Sequence, residues 1–175
     1  MIKAKGYGAT SKESEIAPLS FDRNDLNATD ILIDILYCGI CHSDIHTARG
    51  EWGPAIYPVV PGHEIVGKVI QVGNQVTRFK VGDIAGVCVF VDSCRSCTPC
   101  QKGLEQYCEE GMVPTYNGYY RDKKTPTYGG YSNCYVIDEK YTLHIPQKEN
   151  LAGVAPLLCA GITTYSPLKF AGVGK

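Results

Sequence analysis

Apolar positions along this chain recur in short β-type runs rather than at helical spacing. Ile31-Leu32-Ile33-Asp34-Ile35-Leu36-Tyr37, Gly67-Lys68-Val69-Ile70-Gln71-Val72-Gly73, Ile84 to Phe90 and Tyr131 to Ile137 are rich in β-branched and aromatic residues, and turn residues bound them. With 19 Gly and 10 Pro, the pattern predicts a mainly antiparallel sheet or barrel carrying long loops. Only two segments read as helix. One runs from His42 to Arg49 and stops at Gly50; the other begins near Asn150 and continues through Cys159 to Tyr165. Neither an internal repeat nor a low-complexity tract is evident. Near the end, Gly172-Val173-Gly174 is half of a dinucleotide fingerprint without a strand before it. Gly174-Lys175 is no phosphate loop, because Lys169 stands where that motif needs Gly.

The totals narrow the class. At 175 residues the chain has room for one ordinary domain with a real core and is short for two. Hydrophobic residues make up 44% and charged ones 20%, the balance of a globular protein. Seventeen Lys and Arg against 18 Asp and Glu give a net charge of −1, which argues against nucleic acid or an anionic membrane as partner. The longest apolar stretch, around Val154 to Ile162, contains Pro156 and is too short to span a bilayer. Nine cysteines is an odd count, and Met1-Ile2-Lys3-Ala4-Lys5 has no apolar signal core. We therefore expect a cytoplasmic, reducing compartment in which cysteines bind metal.

Cys94, Cys97, Cys100 and Cys108 carry the clearest chemistry. Their spacing, C-x2-C-x2-C-x7-C, sits in a polar, turn-rich loop with no packing use for four thiols. A closed, tetrahedral shell of sulfur suits a structural Zn²⁺ and leaves no position open for chemistry. A second, mixed set comprises Cys41, His63-Glu64 and Cys159. Two thiolates and one imidazole leave a fourth position open, as catalytic zinc sites do. Asp44 is a candidate carboxylate for the other ring nitrogen of the histidine. Lone residues such as Cys38, Cys88, Cys134 and His144 read as ordinary core or surface residues, and packing near a strand end accounts for Cys38. Tyr116, Tyr119, Tyr120 and Tyr128 read as an aromatic-rich loop laid on the sheet.

Three stretches together resemble the zinc-dependent medium-chain alcohol dehydrogenases, most closely the cinnamyl alcohol dehydrogenase branch. They are Cys41-His42-Ser43-Asp44, Tyr57 to Glu64 and Cys159-Ala160-Gly161-Ile162-Thr163-Thr164-Tyr165, and the four-cysteine loop joins them. The resemblance covers essentially the whole chain. It implies a mainly β fold with short helices, a GroES-like partly open β-barrel with a zinc lobe at about residues 92–110. It further implies two zinc ions per chain and an NADP-dependent interconversion of primary alcohols and aldehydes, aryl or aliphatic. On this reading residues 1–150 form the GroES-like catalytic domain. Residues 151–175 lead to a dinucleotide-binding domain that this chain does not contain, so the chain is an N-terminal catalytic portion. A homodimer is implied for the full-length protein.

The same resemblance assigns roles. Cys41, His63 and Cys159 hold the catalytic zinc, with Glu64 as an outer carboxylate or an occasional fourth ligand. Ser43 takes the proton of the alcohol, although a hydroxyl there also suits a helix cap. His46 is the outer end of the relay, His42 meets the cofactor pyrophosphate, and Thr163 approaches the nicotinamide. Trp52 lines the substrate pocket. Two rival readings are a truncated, non-catalytic zinc module and a nucleic-acid-binding zinc lobe. An intact Ser43 and His46 disfavours the first. Near-zero charge, with only Arg95 and Lys102 beside the cysteines, disfavours the second.

Overall fold

A computed structural model describes residues 1–146 and 150–174; Lys175 of the Gly174-Lys175 pair lies outside the described residues. The strands β1 (Ile2–Gly8), β2 (Ala17–Arg23) and β3 (Asp30–Cys38) come first, followed by α1 (His42–Ala48) and β4 (Ile65–Val72). Next are β5 (Ile84–Val87), β6 (Phe90–Asp92), α2 (Thr98–Gln101), β7 (Val113–Pro114) and β8 (Cys134–Asp138). Then β9 (Leu143–His144) precedes α3 (Leu151–Val154) and α4 (Ala160–Phe170). The main sheet has the order β8-β3-β4-β5-β9, and β1-β2 and β6-β7 form two-stranded sheets. Every pairing is antiparallel. Among the described residues the sheets stay open rather than closing into a barrel.

β3 lies inside the main sheet and, over its first four residues, is covered on both faces. Ile31 and Ile33 point into the main core with Ile65, Val69, Val87 and Tyr135, while Leu32 packs the other way against Ala4 and Val136. A strand buried on both sides needs no polar alternation, and for that reason it reads as a continuous apolar run. Burying each of the Ile, Leu and Val side chains contributes about 1.5–3 kcal/mol. Two register shifts against β4, at Leu32/Ile33 and Ile35/Tyr37, bend β3 before the chain leaves it. That bend delivers Cys41 to the start of α1.

Several expected elements differ in extent. The run from Ile84 to Phe90 splits into β5 and β6, because at the break Val89 gives its carbonyl to the Thr115 N–H at 3.1 Å. The strand expected from Tyr131 starts only at Cys134, since Tyr131 is engaged elsewhere: its N–H binds Pro61 and its carbonyl binds Tyr7. The second expected helix is broken. After α3 the chain tightens into a 3₁₀ turn over Ala155–Leu158, with Pro156 near its start, and leaves helical geometry at Cys159 (φ −126°, ψ −71°) before α4 begins. Among the described residues no single helix is long and apolar enough to cross a membrane.

Candidate metal centres and the adjoining cleft

The four lobe cysteines come together, with their Sγ atoms all within 4.8 Å of one another. Cys97 stands at the N-cap position of the short helix α2, and Pro99 fits its first turn. Backbone N–H groups aim at sulfur: Cys94 N–H donates to Cys108 Sγ and Cys97 N–H to Cys94 Sγ, each at 3.3 Å. These amides, Cys97 first and then Ser96, pull the Cys94 thiol down to about 6. The same neighbourhood of sulfurs pushes Cys97 up to about 11, and four thiols crowded this closely in a polar loop fit a closed zinc shell. Arg95 fastens the lobe to the main sheet. Its Nε donates to Asp92 at 2.9 Å, its Nη1 donates to Asp138 on β8 at 2.8 Å, and its guanidinium lies over the Tyr141 ring.

Three separate segments bring the mixed set together. Cys41 stands just before α1, His63 and Glu64 lie at the entrance to β4, and Cys159 occupies the break between the 3₁₀ turn and α4. One donor atom from each of Cys41, His63, Glu64 and Cys159 lies within 4.8 Å of the others, and the two sulfurs are 4.0 Å apart. Asp44, only 1% exposed, ties the segments together. Its Oδ2 accepts the Cys41 N–H at 2.9 Å, and its Oδ1 accepts the Gly62 N–H at 3.0 Å and sits 3.2 Å from His63 Nδ1. With Nδ1 turned to Asp44, the other ring nitrogen of His63 is left for the cluster.

The titration behaviour of the cluster follows from its geometry. Burial works against an ionised Asp44, yet its hydrogen bonds to His63 and to the Cys41 amide outweigh it and hold the carboxyl below the usual range. For His63 the order is the same: burial opposes the charge, and the Asp44 contact wins and raises its pKa. Cys41 is lowered despite burial, chiefly because Ser43 donates its hydroxyl to the sulfur at 3.2 Å. Cys159 is pushed up to about 11 by burial and then by the charge on Cys41. Glu64 is raised by burial.

Glu64 is 2% exposed, and its Oε2 has no hydrogen-bond partner among the described residues. Room for that carboxylate exists because residue 39 is Gly; a Cβ there would collide with Glu64 Oε2. An unpartnered buried carboxylate oxygen beside two sulfurs is costly unless a cation faces it, so this donor set fits a divalent metal of the zinc type.

A cleft of about 380 Å³ opens onto this cluster. Ser43, His63 and Cys159 lie on its wall together with Trp52, Thr47, Met112, Pro114, Tyr116 and Asn117. Trp52 is 67% exposed and stacks on His46, which in turn stacks on His42, giving a ladder of three rings. His46 Nδ1 pairs with Glu51. Thr163 is exposed on α4, its N–H bound to the Cys159 carbonyl at 2.9 Å. The sequence alone did not single out Met112, Thr47 and Asn117. Tyr116 was expected only to pack; it is buried and its ring lies against His63, with 5.7 Å between centroids. A larger groove of about 650 Å³, between β1, β2 and β3, holds none of the clustered donors.

Residues 27–147 match the family model of the alcohol dehydrogenase GroES-like domain. An NADP-dependent alcohol dehydrogenase C from Mycolicibacterium smegmatis is 54% identical over 100% of this chain, which covers 51% of that protein. An Escherichia coli aldehyde reductase, YahK, is 51% identical over 99% of the chain and 50% of its own length. Among solved structures, a cinnamyl alcohol dehydrogenase from Helicobacter pylori complexed with NADP(H) superposes with a TM-score of 0.95 at 49% identity, covering 99% of this chain and 50% of that one. The chain thus spans about half the length of the curated relatives it matches. With the fold, the two donor clusters and these similarities in agreement, the chain belongs to the alcohol dehydrogenase GroES-like domain family.

Proposed function

We propose that this chain is the metal-bearing catalytic portion of a zinc-dependent oxidoreductase that interconverts primary alcohols and aldehydes with NADP. The observation that carries the reading is the mixed cluster of Cys41, His63, Glu64 and Cys159, backed by Asp44 and open to a cleft with Ser43 on its wall. Cys41, His63 and Cys159 would hold the catalytic zinc, and Glu64 would close the shell or stand beside it. Cys94, Cys97, Cys100 and Cys108 would hold a structural zinc. At the mixed site a zinc ion supplies a Lewis acid, one that lowers the pKa of a bound water from about 16 to about 7. A nicotinamide cofactor supplies the hydride acceptor or donor. On this reading the cofactor is held mainly by sequence of the kind the relatives carry in the half of their length this chain does not match.

The residues of this chain then have distinct tasks. Trp52, Met112 and Tyr116 offer the cleft an apolar lining that orients a bulky or aryl alcohol and excludes water. Ser43 takes the hydroxyl proton, because its Oγ sits both on the cleft and 3.2 Å from Cys41 Sγ. His46, held by Glu51 and stacked between His42 and Trp52, passes the proton outward. His42 and Thr163, both exposed, face the cofactor.

The reading is tested by counting metal on the 175-residue chain by native mass spectrometry. Two zinc ions are expected, falling to one in His63→Ala. A single zinc that only mutation of the four-cysteine lobe removes would leave the non-catalytic zinc module as the better description.

A further inference from the structure

The Asp44 carboxylate is fully used. Besides Cys41, Gly62 and His63, it accepts a fourth hydrogen bond, from the Tyr131 hydroxyl to Oδ2 at 2.9 Å. Cys41, Gly62 and His63 all belong to the ligand-bearing segments themselves. Tyr131 comes from elsewhere, on the loop that precedes β8.

That loop is anchored with unusual thoroughness. Backbone bonds lace it to the segment that carries His63: Gly129 N–H to Val60 at 2.7 Å, Gly130 N–H to Gly62 at 2.8 Å and Tyr131 N–H to Pro61 at 2.9 Å. Such close approach needs Gly at 129 and 130, since a Cβ at either would strike Pro61 or Ile65. From the other side, the buried Arg23 donates to the carbonyls of Tyr128 and Gly129 at 2.8 and 2.9 Å and to Ser132 Oγ at 2.8 Å. Arg23 pairs with no carboxylate among the described residues; its guanidinium lies over Tyr135, 4.2 Å from the ring centroid. A buried cation spent on loop carbonyls marks a loop whose position matters. The hydroxyl of Tyr131 makes one hydrogen bond among the described residues, and Asp44 receives it.

We propose that Tyr131 is a positioning residue for the mixed cluster: from a loop pinned by Arg23, its hydroxyl aims the Asp44 carboxylate at His63 and so sets how tightly, and in what geometry, His63 holds a metal ion. The inference rests on reading that cluster as a metal site. Oδ2, held by Tyr131 and the Cys41 amide, fixes the carboxylate plane; Oδ1 then meets His63 Nδ1 without freedom to rotate. Without the hydroxyl, the two amides still hold the carboxylate but Oδ2 loses one of its two donors, and the aim of Oδ1 at the imidazole is loosened.

Tyr131→Phe keeps the ring and removes only the hydroxyl. The probe is Co²⁺, titrated into the metal-free chain, with His63→Ala identifying the absorption that belongs to the mixed site. The expected result for Tyr131→Phe is about tenfold weaker Co²⁺ at that site with shifted d–d bands, and unchanged binding at the four-cysteine lobe. In an Asp44→Asn background the same change adds nothing further. Equal affinity and identical bands in Tyr131→Phe would overturn the inference. So would equal weakening of both sites with a lowered melting temperature of the metal-free chain, the mark of a general packing role. If the unsubstituted chain shows no Co²⁺ absorption that His63→Ala removes, the metal reading itself fails and this inference falls with it.

Discussion

Asp44→Asn separates the two duties this carboxylate performs, and its cost can be worked out atom by atom. An asparagine keeps one accepting oxygen and replaces the other with an NH₂. If the NH₂ faces Gly62 and His63, the Gly62 amide is left without an acceptor; if it faces Cys41 and Tyr131, the Cys41 amide is. Tyr131 and His63 can adapt, because a hydroxyl and an imidazole nitrogen can each accept. One buried backbone N–H is therefore orphaned in either orientation, and the remaining bonds lose their charge. Together these losses cost about 2–3 kcal/mol. For a chain of this size that lowers the melting temperature by roughly 5–10 °C.

The effect on metal is different in kind. When the NH₂ faces His63, Nδ1 must accept, its proton moves to the other ring nitrogen, and that nitrogen can no longer bind a cation. When the oxygen faces His63 the tautomer is kept, but the acceptor is neutral. Zinc affinity at the mixed site should fall about 10–100-fold, while the lobe is untouched. Thermal melts in chelator report the first effect, and competition with a chromophoric chelator reports the second. A variant with lowered stability and unchanged affinity would mean that Asp44 is a helix cap and nothing more. Unchanged values of both would refute the hydrogen-bond account altogether.

Three other outcomes follow from the same structure. In the metal-free chain the raised pKa of His63 contributes stability that is complete below about pH 6.5 and is lost as pH rises through its folded-state value. Asp44 contributes above about pH 4 and loses its share as pH falls through its depressed value. The gap in melting temperature between the chain and Asp44→Asn should thus be widest near pH 5–6 and narrow at alkaline pH; a gap independent of pH would rule out the charged pair. Cys97→Ser should abolish zinc in the lobe and lower the melting temperature while Co²⁺ still enters the mixed site; an unchanged zinc count would remove Cys97 from the shell. Arg95→Ala severs contacts to Asp92 and Asp138 from a half-exposed side chain, so a loss of about 1 kcal/mol is expected in denaturant melts, with lobe zinc retained. An undisturbed midpoint would show that the lobe does not lean on β8.

What the sequence discloses depends on how local each feature is. β3 is legible because its first half is buried on both faces and the apolar residues there, Ile31, Leu32 and Ile33, are large. β1 was missed because its buried positions are Ala4, Gly6 and Gly8, too small to register as a hydrophobic alternation. The helix over residues 42–48 was readable from its flanking Gly50, whereas the break at Cys159 has Pro156 as its local signal, and that proline stands three residues before the point where the chain leaves helical geometry. Asp44 could be suggested as the histidine's partner, but its grip on Cys41 and Gly62 is a matter of coordinates. Tyr116 and Tyr131 reach the site from loops more than 50 residues beyond His63, at no spacing that marks them apart from twelve tyrosines.

The two clusters differ in the same respect. The lobe gathers its four sulfurs between residues 94 and 108, through helix α2 and amide-to-sulfur contacts that a short loop can make by itself. The mixed cluster joins Cys41 to Cys159, 118 residues apart, and each contributing segment is fixed by the sheet: Gly39 is bound to Glu64, Gly62 to Gly130, and Leu158 is buried on Val66. Closing so long a loop costs entropy that only the assembled core can offset. On the proposed reading, metal in the lobe would stabilise a local fold, whereas metal at the mixed site would report that the whole sheet, the 129–131 loop and the Cys159 break are in register at once. Chemistry placed at the mixed site is in this way made conditional on the complete fold, and the lobe, with no open position, is left to hold one corner of it.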